Sequence, residues 1–306
     1  MKRKLALSLT IPAVLVFILA FQFFPPDFRA GKEVFVVRNG FSVSELAENL
    51  GIGGFLRNPK LFRMVLKITG WDRQITPGGY LISKSMSVFS LAKSFIESPS
   101  QKWIFIPEGL RKEEVAEKLK KELEWTDQEM QGFLARAKEG YLFPDTYLFP
   151  SGWTGEEAAE RLEKEFILHF KESFKEDAGI VILASLVQRE AASESEMPLV
   201  AGIIKNREEK GMPLQLDATL QYVVGNEDGW WPKVRSEDKE IDSEYNTYLH
   251  KGYPPFPICS PGQAALDSAL NPEKTDYLYY LHDSKGQIHC AKTYDDHLNN
   301  IKEYLW

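Results

Sequence analysis

Glu190 closes the apolar stretch Ile180-Val181-Ile182-Leu183-Ala184-Ser185-Leu186-Val187, with only Gln188 and Arg189 between. A carboxyl beside such a stretch can serve as a proton donor, because burial disfavours its ionised form and raises its pKa. The Ala and Leu content favours a helix over a strand. In a helix, Val187 and Leu183 lie three and seven residues before Glu190, on the packing side, so the carboxyl emerges from a partly apolar wall. The same pattern also describes a solvent-facing carboxylate at a helix end, and residue types alone leave both readings open.

Gly140-Tyr141-Leu142-Phe143-Pro144-Asp145-Thr146-Tyr147-Leu148-Phe149-Pro150 crowds aromatics around two prolines and an acid, poor material for a helix interior. Tyr141 and Tyr147 could stack on sugar rings, or the segment could be an aromatic loop packed over the core. His282, His289 and His297 are spaced seven and eight apart, which is no zinc signature. Gly51-Ile52-Gly53-Gly54-Phe55 lacks the Lys and Ser/Thr continuation of a phosphate loop. A formal charge of -7, with lysines near 111–121 interleaved with glutamates, leaves no basic stripe for nucleic acid.

Other elements must position these groups. With 43% apolar and 26% charged residues, the 306-residue chain is a folded protein, large enough for about two domains. Residues 5–24 carry no charge and follow Lys2, Arg3 and Lys4. Twenty residues make a helix of about 30 Å, the thickness of a bilayer core. The positive flank predicts a single-pass anchor with a cytoplasmic N-terminus and the remainder across the membrane; a cleaved signal peptide and a buried soluble helix are the alternatives. Beyond it, a strand is predicted at 33–38, a helix capped by Ser42 or Ser44 through Asn49, and a helix opened by Asn58-Pro59. Pro77-Gly78-Gly79 predicts a turn, Tyr80–Ile82 a strand, and Ser87 the cap of another helix. An extended segment at 103–106 then precedes helices at about 111–123, 127–137 and 154–176. The expected fold is α+β: residues 1–30 as tip, anchor and connection, a small module at 31–104, and a mixed α/β body at 105–306. Cys259 and Cys290 can pair after export or remain buried thiols.

Five segments together resemble the endolytic lytic transglycosylase family (YceG-like, MltG-like). They are GYLFPDTYLF at 140–149, LASLVQREA at 183–191, NREEKGMPLQLDATLQY at 206–222, YNTYLHKGYPPFPICSPG at 245–262 and TDYLYYLHDSKGQIHCAKTYDDH at 275–297. The resemblance implies a bacterial inner-membrane enzyme with its catalytic region outside the cytoplasm. Such an enzyme cuts the MurNAc-β-1,4-GlcNAc bond within nascent peptidoglycan strands and leaves 1,6-anhydro-MurNAc ends. It implies a LysM-like module at 31–104, Glu190 as general acid and base, no metal and no cofactor. Peptidoglycan strands are the implied partner, with cell-wall synthases as neighbours. Asn246, Gln215 and Asp217 are its candidates for binding or orienting substrate, each of which could instead tie loops by hydrogen bonds. A muramidase-type hydrolase and a non-catalytic cell-wall scaffold are the competing classes. Gln188 stands where the family commonly has an acid, and Ala218 where it commonly has proline.

Overall fold

A computed structural model of the chain describes residues 20–170 and 178–305. The chain is a mixed α+β protein in two units, the first running to Ile104 and also taking in Tyr147–Trp153, the second holding Phe105–Thr146 and the residues from Thr154 on. Among the described residues no helix is long and apolar enough to cross a membrane. The apolar run 5–24 lies outside the described residues from 5 to 19.

The first unit opens with β1 (Lys32–Val37), α1 (Val43–Ile52), α2 (Pro59–Thr69), β2 (Gly78–Ser83), α3 (Val88–Ser94) and β3 (Gln101–Phe105). Local chemistry sets the helix starts. Ser42 and Glu45 form a reciprocal capping box on α1, and Asn58 caps α2 ahead of Pro59. The predicted turn at Pro77-Gly78-Gly79 is instead partly strand: Gly78 and Gly79 pair with Val37 and Val36 in the antiparallel β1–β2 ladder. Leu46, Leu50, Phe62, Leu66, Ile82, Leu91 and Phe95 form this unit's core.

The second unit begins with α4 (Lys112–Leu123) and α5 (Asp127–Arg136). The chain returns to the first unit as β4 (Thr146–Pro150), beside β3 in the sheet order β1-β2-β3-β4. Part of the expected aromatic loop is therefore a strand, with Tyr147 and Phe149 turned inward by the two-residue period. Then follow α6 (Gly155–Phe170), α7 (Gly179–Glu190), α8 (Met197–Glu209), α9 (Asp217–Val224), α10 (Gln263–Leu270), the hairpin β5 (Tyr279–His282) and β6 (Ile288–Ala291), and α11 (Tyr294–Tyr304). The helix expected over 154–176 is described as far as Phe170.

Helix α7 is the axis of this unit. All residues from Val181 to Val187 are buried, in a core shared with Val200, Ile204, Leu216, Ile258 and Leu266. Polar side chains on α7 fix the segment that runs past it. Ser185 Oγ donates to Ile182 O (2.8 Å) and accepts from Ile258 N (3.1 Å), and Gln188 Oε1 accepts from Gly262 N (2.8 Å). Gly140 has φ +84°, and a Cβ there would fall 2.4 Å from Pro257, so this turn requires glycine. Both cysteines are free thiols, and Cys259 Sγ donates to Ser185 O at 3.4 Å.

Replacing Ser185 by Ala strands the Ile258 N–H inside the core. The expected loss is about 1–3 kcal/mol of unfolding free energy. Urea denaturation of wild type and Ser185→Ala measures it, and equal midpoints would contradict the assignment.

Candidate active site

Helix α7 ends at Glu190 because Ala191 turns extended (φ -77°, ψ 136°), its N–H closing on Val187 O at 3.0 Å. The carboxyl is thus delivered from a buried helix to the edge of an open cleft of about 350 Å³. Tyr280, on β5, donates its hydroxyl to Glu190 Oε2 at 2.7 Å. Ala218 N, in the first turn of α9, approaches Oε1 at 3.4 Å.

These contacts pull on the proton in opposite directions. Burial raises the Glu190 pKa and is the strongest influence, and the nearby Asp217 carboxylate raises it further. The hydrogen bonds from Tyr280 and Ala218, and the His282 ring, favour the ionised form. The net direction is upward. Tyr280 is pushed far above the ordinary phenol range, chiefly by burial and then by Glu190. It therefore remains a hydrogen-bond donor.

Asp217 and Gln215 line the same cleft. Asp217 is exposed and accepts a 2.6 Å hydrogen bond from the Tyr248 hydroxyl. Gln215 sits at φ +55°, in the left-handed region, with its Oε1 accepting from Arg207 Nη2 at 2.8 Å. The Arg207 guanidinium also donates to Pro213 O and to Leu278 O, joining the 213–215 turn to the lead-in of β5.

Asn246 lies elsewhere. It is 0% exposed, donates to Lys239 O (3.0 Å) and Ile241 O (2.8 Å), and accepts from Tyr248 N (2.9 Å). It builds the loop that carries Tyr248 and does not line the cleft. Tyr147, 4% exposed on β4, belongs to the first unit. Tyr141 lines a second cavity, with Glu139, Tyr222 and Tyr245.

Arg207, Tyr248 and Tyr280 line the cleft and His282 supports it; all four lie within the segments that carry the family resemblance, but residue types alone assign them none of these contacts. Tyr280 and His282 share one face of β5. The first reaches Glu190, and the second meets Glu196 at 2.9 Å. Glu196 also accepts the Ala192 N–H, so the segment after α7 is tied to the hairpin at both ends. The two-residue alternation of a strand could have paired Tyr280 with His282, but their partners are 90 and 86 positions away, respectively. His289 faces Asp283 and His297 stacks on Tyr279, so the three histidines meet different partners. Among the described residues no group of three or more His, Cys, Asp or Glu could hold a metal ion.

The profile described as the YceG-like family matches residues 35–303. This chain belongs to the YceG-like family. It is 28% identical to an endolytic murein transglycosylase of Bacillus subtilis over 306 aligned residues, covering 88% of this chain and 84% of the relative. It is 26% identical to an endolytic murein transglycosylase of Streptococcus pneumoniae, covering 92% of this chain but only 60% of that longer protein. A YceG-like protein of Listeria monocytogenes, known from a crystal structure, shares the fold at a TM-score of 0.54 and 24% identity, over 88% of this chain and 99% of that one.

Tyr280→Phe removes a hydrogen bond that favours the ionised carboxyl, so the Glu190 pKa should rise. Carboxyl carbon NMR titration of glutamate-labelled protein reads this directly. A fall, or no change, would overturn the role given to the Tyr280 hydroxyl.

Proposed function

We propose that this chain is an endolytic murein transglycosylase, cutting the MurNAc-β-1,4-GlcNAc bond inside nascent peptidoglycan strands. The observation that carries this reading is the Glu190 carboxyl, biased towards its protonated form by burial and held by Tyr280 at the edge of an open cleft. The relatives' shared activity name supports the same class of reaction.

Glu190 gives its proton to the leaving GlcNAc O4 as the bond to the muramoyl anomeric carbon breaks. The muramoyl C6 hydroxyl then bonds to that carbon, and its proton passes to the Glu190 carboxylate, which regenerates the acid. Tyr280 occupies Oε2, so the proton travels on Oε1, whose contact with Ala218 N is long. The nucleophile is part of the substrate, which gives the ring closure the advantage of an intramolecular reaction. Gln215 and Asp217 hold the sugar in the cleft. Asn246 acts through the loop of Tyr248 as a positioning residue.

Residues 5–24 serve as the membrane anchor, with the N-terminus cytoplasmic and the catalytic region outside. Cell-wall synthases are then natural neighbours. The order strand, helix, helix, strand over 32–83, with its strands antiparallel, supports a LysM-like role for the 31–104 module.

Uncrosslinked glycan strands incubated with the protein should yield internal cuts with 1,6-anhydro-MurNAc ends by mass spectrometry. Glu190→Gln should lose at least about 100-fold in turnover while its circular dichroism is unchanged. Hydrated ends alone would instead make the protein a hydrolase, with Asp217 activating water. Activity should fall as pH rises through the raised Glu190 pKa, because the ionised acid cannot protonate O4. Asp217→Asn removes a repelling carboxylate and should move that alkaline limb to lower pH.

The anchor predicts that protease added from the extracytoplasmic side of intact cells removes most of the chain. Full protection would contradict this topology.

A further inference from the structure

A cavity of about 760 Å³ lies in the second unit, separate from the Glu190 cleft. Its volume falls within the ~300–1,000 Å³ of ligand pockets. Tyr141, Tyr222, Tyr245 and Phe256 line it. Phe256 stands on the stiff run Pro254-Pro255-Phe256-Pro257 and is 65% exposed, an aromatic that the protein's own core leaves unused. Tyr222 and Tyr245 pack as a tilted pair with ring centres 4.9 Å apart.

Of the acids in the lining, Glu139 hydrogen-bonds to one of these rings. Both oxygens of Glu139 accept from Lys112 N (3.2 and 3.3 Å), and Tyr222 donates to Oε2 at 3.4 Å. Burial, helped by the Glu113 carboxylate and opposed by Arg111 and Lys112, raises Glu139 to about 8. At neutral pH it is mostly an uncharged acid, able both to donate and to accept. Glu163, also in the lining, is paired with Arg136. Such a lining suits an uncharged ring with apolar faces and hydroxyl or acetamido edges. Its aromatics can cover the C–H faces of a pyranose, and the acid and phenols can bind its edges.

The cavity shares its scaffold with the cleft. Ile182 lines the cavity and Glu190 the cleft, eight residues apart on α7, about 12 Å along the axis. Helix α9 presents Tyr222 to the cavity and Asp217 to the cleft, about 140° apart around the helix. The loop carrying Tyr245 and Tyr248 also serves both. A small substrate would fill one site; a polymer is long enough to reach a second.

We infer that this cavity is a second glycan site, which holds N-acetylated sugar rings of the same strand away from the bond being cut. The inference rests on the transglycosylase reading for the identity of the polymer. The test measures equilibrium binding of uncrosslinked peptidoglycan strands, with and without their stem peptides, to the full-length Glu190→Gln protein. Adding Phe256→Ala, an exposed position that should not disturb folding, should weaken binding of both strand preparations roughly tenfold. Tyrosine ring NMR signals of Tyr222 and Tyr245 should move on titration with stripped strands. Unchanged affinity in the Phe256→Ala protein would overturn the site. Binding that disappears when the stem peptides are removed would overturn its assignment to sugar. Phe256-dependent binding by a wild-type protein that cuts no glycan would sink the transglycosylase reading and leave this site standing.

Discussion

The site depends on one contact, the 2.7 Å hydrogen bond that joins the end of α7 to the β5–β6 hairpin through Glu190 and Tyr280. An ionised carboxylate at the end of a buried helix is costly, and the negative end of the helix dipole at the C-terminus of α7 disfavours it further. The structure answers with burial that raises the pKa of the acid and a hydroxyl that can hold it in either protonation state. A second carboxylate, Asp217, stands nearby but keeps its own exposed setting and its own tyrosine. Two acids in one cleft are thus given different environments, the condition for different roles.

Around this contact several polar groups of the second unit are hydrogen-bonded, some to partners remote in sequence and some to nearby loop residues. Ser185 and Gln188 hold the 258–262 segment, Arg207 ties the 213–215 turn to the strand that carries Tyr280, and Asn246 builds the loop under Tyr248. A buried donor left without its acceptor costs about 1–3 kcal/mol, so each link resists displacement. The open cleft is thus framed around Glu190 by hydrogen-bonded groups. The same elements, α7, α9 and the 245–248 loop, also frame the second cavity.

Much of the secondary structure was legible in the sequence. Ser42, Asn58-Pro59 and Ser87 start helices because their side chains or ring geometry act within three residues of themselves. The 140–150 segment was less legible, because strand β4 exists only by virtue of its neighbour β3. The turn expected at Pro77-Gly78-Gly79 became the start of β2 for the same reason: its pairing partners, Val36 and Val37, lie some forty positions earlier.

The sequence by itself determined the buried character of α7, the carboxyl at its end, the charge-free run at 5–24 and the motif set of the YceG-like family. These are local properties, set by side-chain size, charge and spacing. Only the tertiary structure decided which groups meet Glu190. Gln215 and Asp217 come to its cleft, Asn246 turns inward to carbonyls, and Tyr141 and Tyr147 part company across two units. Tyr280 reaches the acid from 90 positions away. Hydrogen bonds act over about 3 Å, and chain separation says little about which groups come within that distance.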